Sequence, residues 1–323
     1  MRNTKMFSFV KMSDNSMVAS VRIARWLSNY LEVPVVDDGS IADKKLDTLI
    51  IVNGAYGFSK HLAPLGASIE NARRVVWVQN DYTIIPPRDD GDAESPFRKA
   101  FVNRKDGGKD PTIFWSTCHK WSERPGSSYV NWNMLTFDER YDPKAITNRR
   151  KVARDTLFYY GSYRDGSGKS SRVPLFDRYF KEPKVKTVIS SPSPKFAARY
   201  TSKSVEHHGA VVDSFYHVLG LHGLGLYIED RKSSEEFHSP ANRFYEMLSA
   251  GLPMVFQPEA GPNMRKAGFN PARFVVSNAR EITKCMEQRE EIGALQRETW
   301  VPDKLHFRNM LIEQVEAARS KLP

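Results

Sequence analysis

Polar and apolar positions form blocks along most of the chain, with short apolar runs separated by longer amphipathic stretches. In the first half the runs are rich in β-branched and aromatic residues: MFSFVKM, PVVD, DTLIIVN, RVVWVQN, TIFWST and YVNWN. Such runs are typical of strands that are buried on both faces of a parallel sheet. After the first run, apolar residues recur at helical spacing from Val18 to Leu31, which predicts an amphipathic helix.

A polar segment at residues 141–151, YDPKAITNRRK, separates this series from a second one. The second series contains the runs TLFYYG, VKTVIS, VEHHGAV, GLGLYIED, PMVFQ and RFVVS, again with helical stretches between them. This organisation predicts an α/β protein with two Rossmann-like, doubly wound domains that face each other across a cleft. We expect the domains to comprise residues 1–150 and 151–323, with the terminal helix able to pack back onto the first domain.

The stretch SPANRFYEMLSAGLP has the clearest local signals for the two ends of a helix. Ser239 is a favourable N-cap, and Pro240 suits the first helical position, where its missing N–H is not needed. Gly251 suits the position just after the helix, and Pro253 prevents continuation. We therefore predict a helix that begins at Pro240 and ends before Gly251.

The first turns of this helix carry Asn242, Arg243 and Glu246, where a purely structural helix needs no polar residues. A helix start offers N–H groups and a partial positive charge, which suit a phosphate, and a carboxylate one turn later can bind a ribose diol. The helix lies between two predicted strands, so its start falls at the carboxyl edge of the sheet, where open α/β sheets bind ligands. A well-capped surface helix with solvated charges is the simpler alternative.

The segment HSPANRFYEMLSAGLPMVF resembles the nucleotide-sugar motif of glycosyltransferases with the GT-B fold, which consists of two Rossmann-like domains. The resemblance implies that Glu246 binds the ribose of a sugar nucleotide, with Asn242 and Arg243 beside it. In the retaining subset of that family an acidic residue precedes this glutamate by eight positions. Here that position is His238, which becomes a candidate catalytic residue, and the stereochemical outcome stays open.

Two further regions resemble the donor-binding domain of the same family. In TLFYYGSYRDGSGKSS a strand ends in glycine and a basic loop follows, where the family binds the diphosphate; the backbone after VEHHG matches the part that reads the base. The donor-binding residues that the resemblance implies in these regions are Gly161, Ser162, Arg164, Lys169, Gly209 and Val211. Residues 151–323 would then bind the nucleotide sugar, for which UDP is the favoured nucleotide, and residues 1–150 the acceptor.

The loop after TLFYY also permits a different interpretation, a phosphate-binding P-loop of an ATP-dependent kinase or NTPase. Gly168-Lys169-Ser170 fits the end of the P-loop pattern, but the first glycine of the pattern falls at Tyr163. A bulky residue there disfavours the tight anion-binding turn. The kinase stays as an alternative with less support than the glycosyltransferase.

The charge of the chain adds a candidate partner. The net charge is +10 with a sequence pI near 9.4, and the excess is spread over both halves, which favours polyanions such as nucleic acid or an anionic membrane surface. A basic protein without a polymeric partner is the simpler alternative. In the first half, DNSMVASVRIARWL and VVWVQNDYTIIPP resemble phage glycosyltransferases that modify DNA bases.

Basic and aromatic residues alternate between residues 98 and 132, a pattern in which cations follow phosphates and aromatic rings stack on bases. The candidate acceptor-binding residues are Asp14, Asn15, Arg104, Lys105, Trp115, Lys120 and Trp121. The alternatives are that Phe114 and Trp115 belong to a strand core with the lysines in a solvated loop, and that Asp14 and Asn15 cap a helix. Asp81 follows the run RVVWVQN and is a candidate base toward an acceptor hydroxyl, or else a turn-capping residue.

The remaining features constrain the compartment and the cofactor. The chain has no run of about 18 apolar residues, and the apolar run near its start is shorter than a signal-peptide core of roughly 7–15 residues. Cys118 and Cys285 are far apart, and the histidines form no ligand pattern, so neither a disulfide framework nor a metal site is expected. These features predict a cytoplasmic protein, in the host cytoplasm if phage-encoded, that requires no cofactor or metal beyond a nucleotide sugar.

The sequence thus predicts a glycosyltransferase that moves a sugar from a nucleotide sugar to a hydroxyl acceptor. A hydroxymethylated pyrimidine in phage duplex DNA is the preferred acceptor, and a cell-surface or lipid-linked glycan is the alternative. A nucleic-acid-binding module that retains a nucleotide pocket without turnover also stays open. The oligomeric state and the transferred sugar are left open.

Overall fold

A computed structural model describes residues 4–8, 19–36, 46–52, 62–79, 112–140, 154–166, 168, 171–209, 219–236, 239–303 and 305–322. The chain divides into two compact units. The first comprises Met1–Leu135 together with Met310–Pro323, and the second comprises Thr136–Asn309. The sequence places the boundary later, at residues 150 and 151.

The described part of the first unit contains a six-stranded parallel sheet. Its strands are β1 (Thr4–Ser8), β2 (Val35–Val36), β3 (Thr48–Val52), β4 (Arg74–Gln79), β5 (Ile113–Ser116) and β6 (Ser128–Tyr129). The strand order is β2-β1-β3-β4-β5-β6. Strand β2 lies on one side of β1, and β3 to β6 follow in order on the other side. All five residues of β3 are buried, as expected for an inner strand of a parallel sheet.

The helices of the first unit occupy the crossovers and the end of the chain. They are α1 (Ala19–Leu31), α2 (Leu62–Asn71) and α3 (His119–Ser122), and the chain continues into α4 (Leu135–Arg140). Helix α1 buries Val21, Ala24 and Leu27, the face that the apolar periodicity predicts.

The described part of the second unit contains a five-stranded parallel sheet with the order β11-β10-β7-β8-β9. Its strands are β7 (Arg154–Tyr160), β8 (Lys186–Ser190), β9 (Val205–His208), β10 (His222–Tyr227) and β11 (Met254–Phe256). Strands β8 and β9 are added on one side of β7, and β10 and β11 on the other. The run RFVVS forms only a bridge between Val275 and Phe256.

The described helices of the second unit are α5 (Val173–Phe180), α6 (Lys195–Arg199), α7 (Arg231–Glu236), α8 (Asn242–Ser249), α9 (Gly261–Lys266), α10 (Ala279–Glu287), α11 (Arg289–Trp300) and α12 (His306–Ser320). Helix α12 extends beyond the second unit, because residues from Met310 onward belong to the first. The predicted α/β class with two doubly wound parallel sheets is confirmed.

Alternation along the strands of the second sheet assigns side chains to its two faces. Leu157 and Tyr159 of β7, with Leu224 and Leu226 of β10, belong to one apolar cluster that also contains residues of α5, α6 and α10. Neighbouring strand residues point to opposite faces, so Phe158 lies on the other side. This second face is covered by α8, whose Phe244 contacts Tyr227 at a ring-centroid distance of 6.1 Å.

Within the residues that the structure describes, no helix is both long enough and apolar enough to cross a lipid bilayer.

Gly225 of β10 packs closely against α8 and the segment that follows it. A Cβ atom at this position would lie 2.6 Å from Sδ of Met247 and 3.1 Å from Cδ2 of Leu252. Both neighbours are buried, so Gly225→Ala forces a core rearrangement that we expect to cost about 1–3 kcal/mol. The midpoint of thermal unfolding should fall by roughly 2–4 °C per kcal/mol. Gly209→Ala is the control, because a Cβ there meets no described atom within 4 Å; equal midpoints for both variants would contradict this packing.

Candidate functional site

The carboxyl ends of β7 and β10 lie side by side where strand addition changes direction in the second sheet. Leu157 pairs with Leu224 and Phe158 with Gly225, so Tyr160-Gly161 emerges next to the segment that follows Tyr227. In open α/β sheets the strands beyond such a point diverge, and ligands bind in the resulting crevice. The side chains at this edge form the candidate site.

Helix α8 begins at this edge, two residues later than the sequence predicts. Its N-cap is Ala241, with φ −66° and ψ 163°, so the prediction of Ser239 as N-cap and Pro240 as first helical residue is wrong. The Ala241 amide donates a hydrogen bond of 2.7 Å to the Tyr227 hydroxyl. The Ser239 hydroxyl is buried instead and lies 3.0 Å from the hydroxyl of Tyr245. The Tyr227 hydroxyl of β10 therefore accepts a hydrogen bond from the backbone at the helix start, where a neighbouring side chain usually does so.

The end of α8 matches the prediction. Gly251 has φ +67°, its amide donates to the Leu248 carbonyl, and the Leu252 amide donates to the Met247 carbonyl, both at 3.0 Å. These two bonds form a Schellman motif, which favours glycine at the left-handed position. The helix therefore presents its first two turns to the site in a fixed register.

Glu246 is held by a tyrosine from β7. The Tyr160 hydroxyl donates to Glu246 Oε2 at 2.6 Å and lies 3.2 Å from the Arg243 carbonyl oxygen. The hydroxyl thus contacts both turns of α8 that carry the predicted polar residues. Tyr160 and Glu246 are both half-buried, so the pair lies at the boundary between the core and solvent.

Arg243 lies along the sheet edge, and its side chain is only 10% exposed. One Nη atom donates to the Ile228 carbonyl at 2.5 Å and lies 3.8 Å from Glu229 Oε1. The other Nη approaches Gly161, where a Cβ atom would be only 3.1 Å away. Gly161 has φ +148°, which also favours glycine. The strand-ending glycine therefore leaves room for the guanidinium.

Asp230 organises the loop on the other side of the edge. Its carboxylate is fully buried and accepts from Arg172 at 2.9 Å and from Arg164 at 3.3 Å. It also accepts from the backbone amide and the hydroxyl of Ser233. Burial raises the pKa of the Asp230 carboxyl, but Arg172, the Ser233 amide and Arg164 outweigh burial and hold the pKa below its ordinary value.

The two consecutive acidic residues after β10, Glu229 and Asp230, contact side chains on opposite faces of the sheet. Glu229 contacts Arg243 and accepts a hydrogen bond from Tyr227 on the α8 side, while Asp230 contacts Arg164 and Arg172 on the α5 side. Arg172 is 3% exposed and Arg164 is 31% exposed, so the cationic group that reaches solvent is Arg164. A partly exposed cation beside a glycine turn and a helix start can bind a phosphate group.

Known structures share this architecture. A DNA-modifying β-glucosyltransferase, solved with and without uridine diphosphoglucose, is 14% identical with a TM-score of 0.67, over 98% of this chain and 97% of that one. An α-glucosyltransferase bound to UDP-glucose and abasic DNA is 12% identical with a TM-score of 0.55, over 96% and 94%. The same kind of enzyme with UDP and a 13-mer DNA containing an HMU base is 11% identical with a TM-score of 0.55, over 97% and 94%.

The chain has the GT-B fold. No protein-family model and no curated protein sequence matches it. At these identities the likeness shows the fold, and the side chains must support any assignment of function.

The second unit of this GT-B fold brings most of the described donor-site candidates together. Gly161, Arg164, Arg243 and Glu246 surround the ends of β7 and β10, while Gly209 follows the outer strand β9, where its carbonyl accepts from Ser190 at 2.9 Å. Ser162 is exposed in the loop after Gly161, and Asn242 is the first residue of α8.

Other candidates lie outside the described residues. They are Asp14, Asn15, Asp81, Arg104, Lys105, Lys169, Val211 and His238. Lys120 is a residue of α3, whose backbone alone is described at this position. Among the described residues, no group of three or more histidine, cysteine or acidic side chains is placed to hold a metal ion.

The two tryptophans proposed to stack on bases belong to the core of the first unit. Trp115 is fully buried in β5 and Trp121 is 4% exposed. The Trp121 ring packs against Phe114 at 4.9 Å and beneath the Arg124 guanidinium at 3.9 Å. Neither ring is exposed for stacking on a base in this structure, and the strand-core alternative describes Trp115.

Five residues of the site are not among the candidates that the sequence indicates: Tyr160, Tyr227, Glu229, Asp230 and Arg172. A signal for the acids was present, because Glu229 and Asp230 end an apolar run where a buried strand has no need of charge. The tyrosines gave no signal, because their hydroxyls act on residues far away in the sequence.

The loop after β7 differs from a P-loop. Tyr163, at the position of the first P-loop glycine, packs against the apolar face of the sheet, with ring-centroid distances of 4.8 Å to Phe196 and 6.0 Å to Phe176. A partly buried tyrosine stands here in place of the glycine that the compact anion-binding turn requires. The geometry therefore disfavours the kinase alternative.

Replacing Asp230 tests the buried ion cluster. Asp230→Asn leaves Arg172 buried without its counter-charge, so we expect a loss of about 3–5 kcal/mol at neutral pH. Because the folded-state pKa is lowered, the stabilisation is present above the unfolded-state pKa and lost as pH falls through the folded-state value. The thermal midpoints of wild type and variant should therefore begin to converge as pH falls below about 4, and should converge fully only below the lowered folded-state pKa.

The matched control is Asp155→Asn, since Asp155 pairs with Arg289 at 2.8 Å but is 75% exposed. Its midpoint should change by less than the equivalent of about 1 kcal/mol. Parallel pH profiles for wild type and Asp230→Asn would contradict the role of the cluster.

Proposed function

We propose that this chain is a glycosyltransferase that transfers a sugar from a UDP-sugar to a hydroxymethylated pyrimidine in DNA. The observation that carries the proposal is the cluster of Arg164, Arg243 and Glu246 at the strand-order reversal of the second sheet. This is the position at which α/β sheets bind nucleotides. The similar structures, which contain UDP or UDP-glucose and in two cases DNA, support the same assignment.

In this proposal Glu246 accepts hydrogen bonds from the ribose hydroxyls. Arg164 contacts the diphosphate together with Lys169, and the first turn of α8, with Asn242, faces the phosphates. Arg243 is too buried to be the main phosphate ligand and instead contributes positive potential behind Gly161. Ser162, Gly209 and Val211 are assigned to the remaining parts of the nucleotide.

The reaction is displacement at the anomeric carbon. The oxygen of the base hydroxymethyl group forms a bond to that carbon, the bond from carbon to the β-phosphate oxygen breaks, and UDP leaves with an additional negative charge. Asp81 is the proposed base that removes the proton of the acceptor hydroxyl, and His238 is the other catalytic candidate. Arg164 stabilises the charge on the departing diphosphate, which is why the proposal includes no metal.

DNA as the acceptor agrees with the charge of the chain. A net charge of +10 attracts a polyanion, and UDP-sugars and DNA are both present in the cytoplasm. A hydroxymethyl group on a paired base lies within a duplex, so transfer requires the target base to be accessible or extruded from the stack. A lipid-linked glycan at an anionic membrane surface is the competing acceptor.

Sugar transfer is the direct test of the function. We expect the purified protein to transfer sugar from a UDP-sugar to hydroxymethylated DNA but not to unmodified DNA, measured by nucleoside mass spectrometry over a panel of nucleotide sugars. The affinity for duplex DNA should fall by roughly 10³-fold or more as the salt concentration rises from 50 to 200 mM. Transfer to a lipid-linked glycan, with binding to anionic liposomes and not DNA, would identify the other acceptor.

Glu246→Ala tests the donor site. We expect UDP affinity to fall by roughly 10- to 100-fold, because hydrogen bonds to a charged group contribute about 1.5–3 kcal/mol, while the thermal midpoint changes little. Isothermal titration calorimetry with UDP measures the effect. Glu287→Ala is the control, because Glu287 is exposed on α10 in the same unit. Unchanged UDP affinity in Glu246→Ala would place the ribose elsewhere.

A further inference from the structure

The hydroxyl of Tyr160, at the end of β7, contacts Glu246 of α8. Glu246 is the residue that the proposed function places against the ribose. Tyr160 is the last residue of β7, and its hydroxyl lies 2.6 Å from Glu246 Oε2 and 3.2 Å from the Arg243 carbonyl. A phenol–carboxylate bond of this length is typical of a charge-assisted hydrogen bond. The strand and the helix are therefore joined at the carboxylate itself.

This contact fixes one oxygen of the Glu246 carboxylate, whose side chain lies on the half-exposed face of α8. A glutamate on a half-exposed helix face samples several rotamers, and ordering it during ligand binding has an entropic cost. The phenol hydrogen occupies one of about four lone-pair positions of the carboxylate. A restrained carboxylate is suited to a vicinal diol, whose two donors have fixed separation.

We propose that Tyr160 is a positioning residue that sets the preference of the donor pocket for ribonucleotides over 2′-deoxyribonucleotides. The inference rests on the proposed function, since it assumes that Glu246 faces the ribose. Tyr160 acts through Glu246 and takes no part in bond formation. The selectivity matters chemically because a DNA-modifying enzyme works beside deoxyribose, which lacks the 2′-hydroxyl.

The ring of Tyr160 also packs, so the test must isolate its hydroxyl. The ring stacks on Phe158 with a centroid distance of 5.7 Å, and Tyr160→Phe retains this contact. The matched control is Tyr200→Phe, because the Tyr200 hydroxyl donates to the Asp177 carboxylate at 2.9 Å away from the ends of β7 and β10. Both variants lose one tyrosine–carboxylate hydrogen bond in the same unit.

The measurement is the affinity for UDP and for 2′-deoxy-UDP by calorimetry. We expect wild type to prefer UDP, and Tyr160→Phe to lose roughly 5- to 20-fold in UDP affinity but less than about twofold in 2′-deoxy-UDP affinity. Tyr200→Phe should retain the wild-type ratio. Glu246→Ala should bring the ratio near one, and adding Tyr160→Phe to it should cause no further loss.

Steady-state kinetics with UDP-glucose separates positioning from catalysis. We expect Tyr160→Phe to raise KM with kcat nearly unchanged, because binding is affected equally in the ground state and transition state. An unchanged UDP to 2′-deoxy-UDP ratio, or an equal loss for both nucleotides, would overturn the inference while leaving the proposed function intact. Absence of UDP binding by the wild-type protein would overturn both.

Discussion

The parallel pairing of β7 with β10 is the constraint on which the candidate site depends. Its register sets Phe158 beside Gly225, so the segments Tyr160-Gly161 and Ile228–Asp230 leave the sheet together. Strands β8 and β11 lie on opposite outer sides of this pair. Because the chain continues away from the pair in both directions, the edge between the two strands is the place where a ligand can meet backbone and side chains from both halves of the sheet. Every described group assigned to the diphosphate or the ribose is attached to these two strands, the loop after β7 or helix α8.

The charged groups at this edge are arranged by strand alternation. Glu229 and Asp230 are adjacent in the sequence but contact arginines on opposite faces, Arg243 toward α8 and Arg172 toward α5. Buried ion pairs are weak evidence for stability, because desolvation offsets much of their attraction. Here the ion pairs fix the orientation of the arginine side chains. Each acid fixes one guanidinium within the protein, and Asp230 additionally holds Arg164, which reaches solvent. Asp230 therefore holds the Arg164 guanidinium in place, which lowers the reorganisation needed when an anion binds.

The sequence predicts this fold well where the signal is local. Apolar runs locate the strands β7 to β11, and Gly251 marks the helix end because its left-handed conformation is a property of that residue. The prediction fails where a residue far away in the sequence makes a contact that a neighbouring residue usually makes. Ser239 is a good cap by composition, but the Tyr227 hydroxyl takes the Ala241 amide and the helix starts later. The Tyr160–Glu246 contact joins residues 86 positions apart and depends on strand register, which a single sequence does not specify. Trp115 was ambiguous for a related reason, since an aromatic residue in a buried strand and one in a binding surface have the same local pattern.

The loop that follows β7 explains why one sequence motif supports two interpretations. Its glycines and basic residues suit any diphosphate, and they satisfy most of a P-loop pattern. The distinction lies in Tyr163, whose ring is inserted against Phe176 and Phe196. The Arg172 amide also donates to the Arg164 carbonyl at 2.9 Å, which fixes the spacing of the two residues that contact Asp230. These contacts hold Arg164 beside Asp230 at the edge of the sheet. An arginine held at this edge can neutralise a departing diphosphate, which is the role that the proposed glycosyltransferase reaction gives to Arg164.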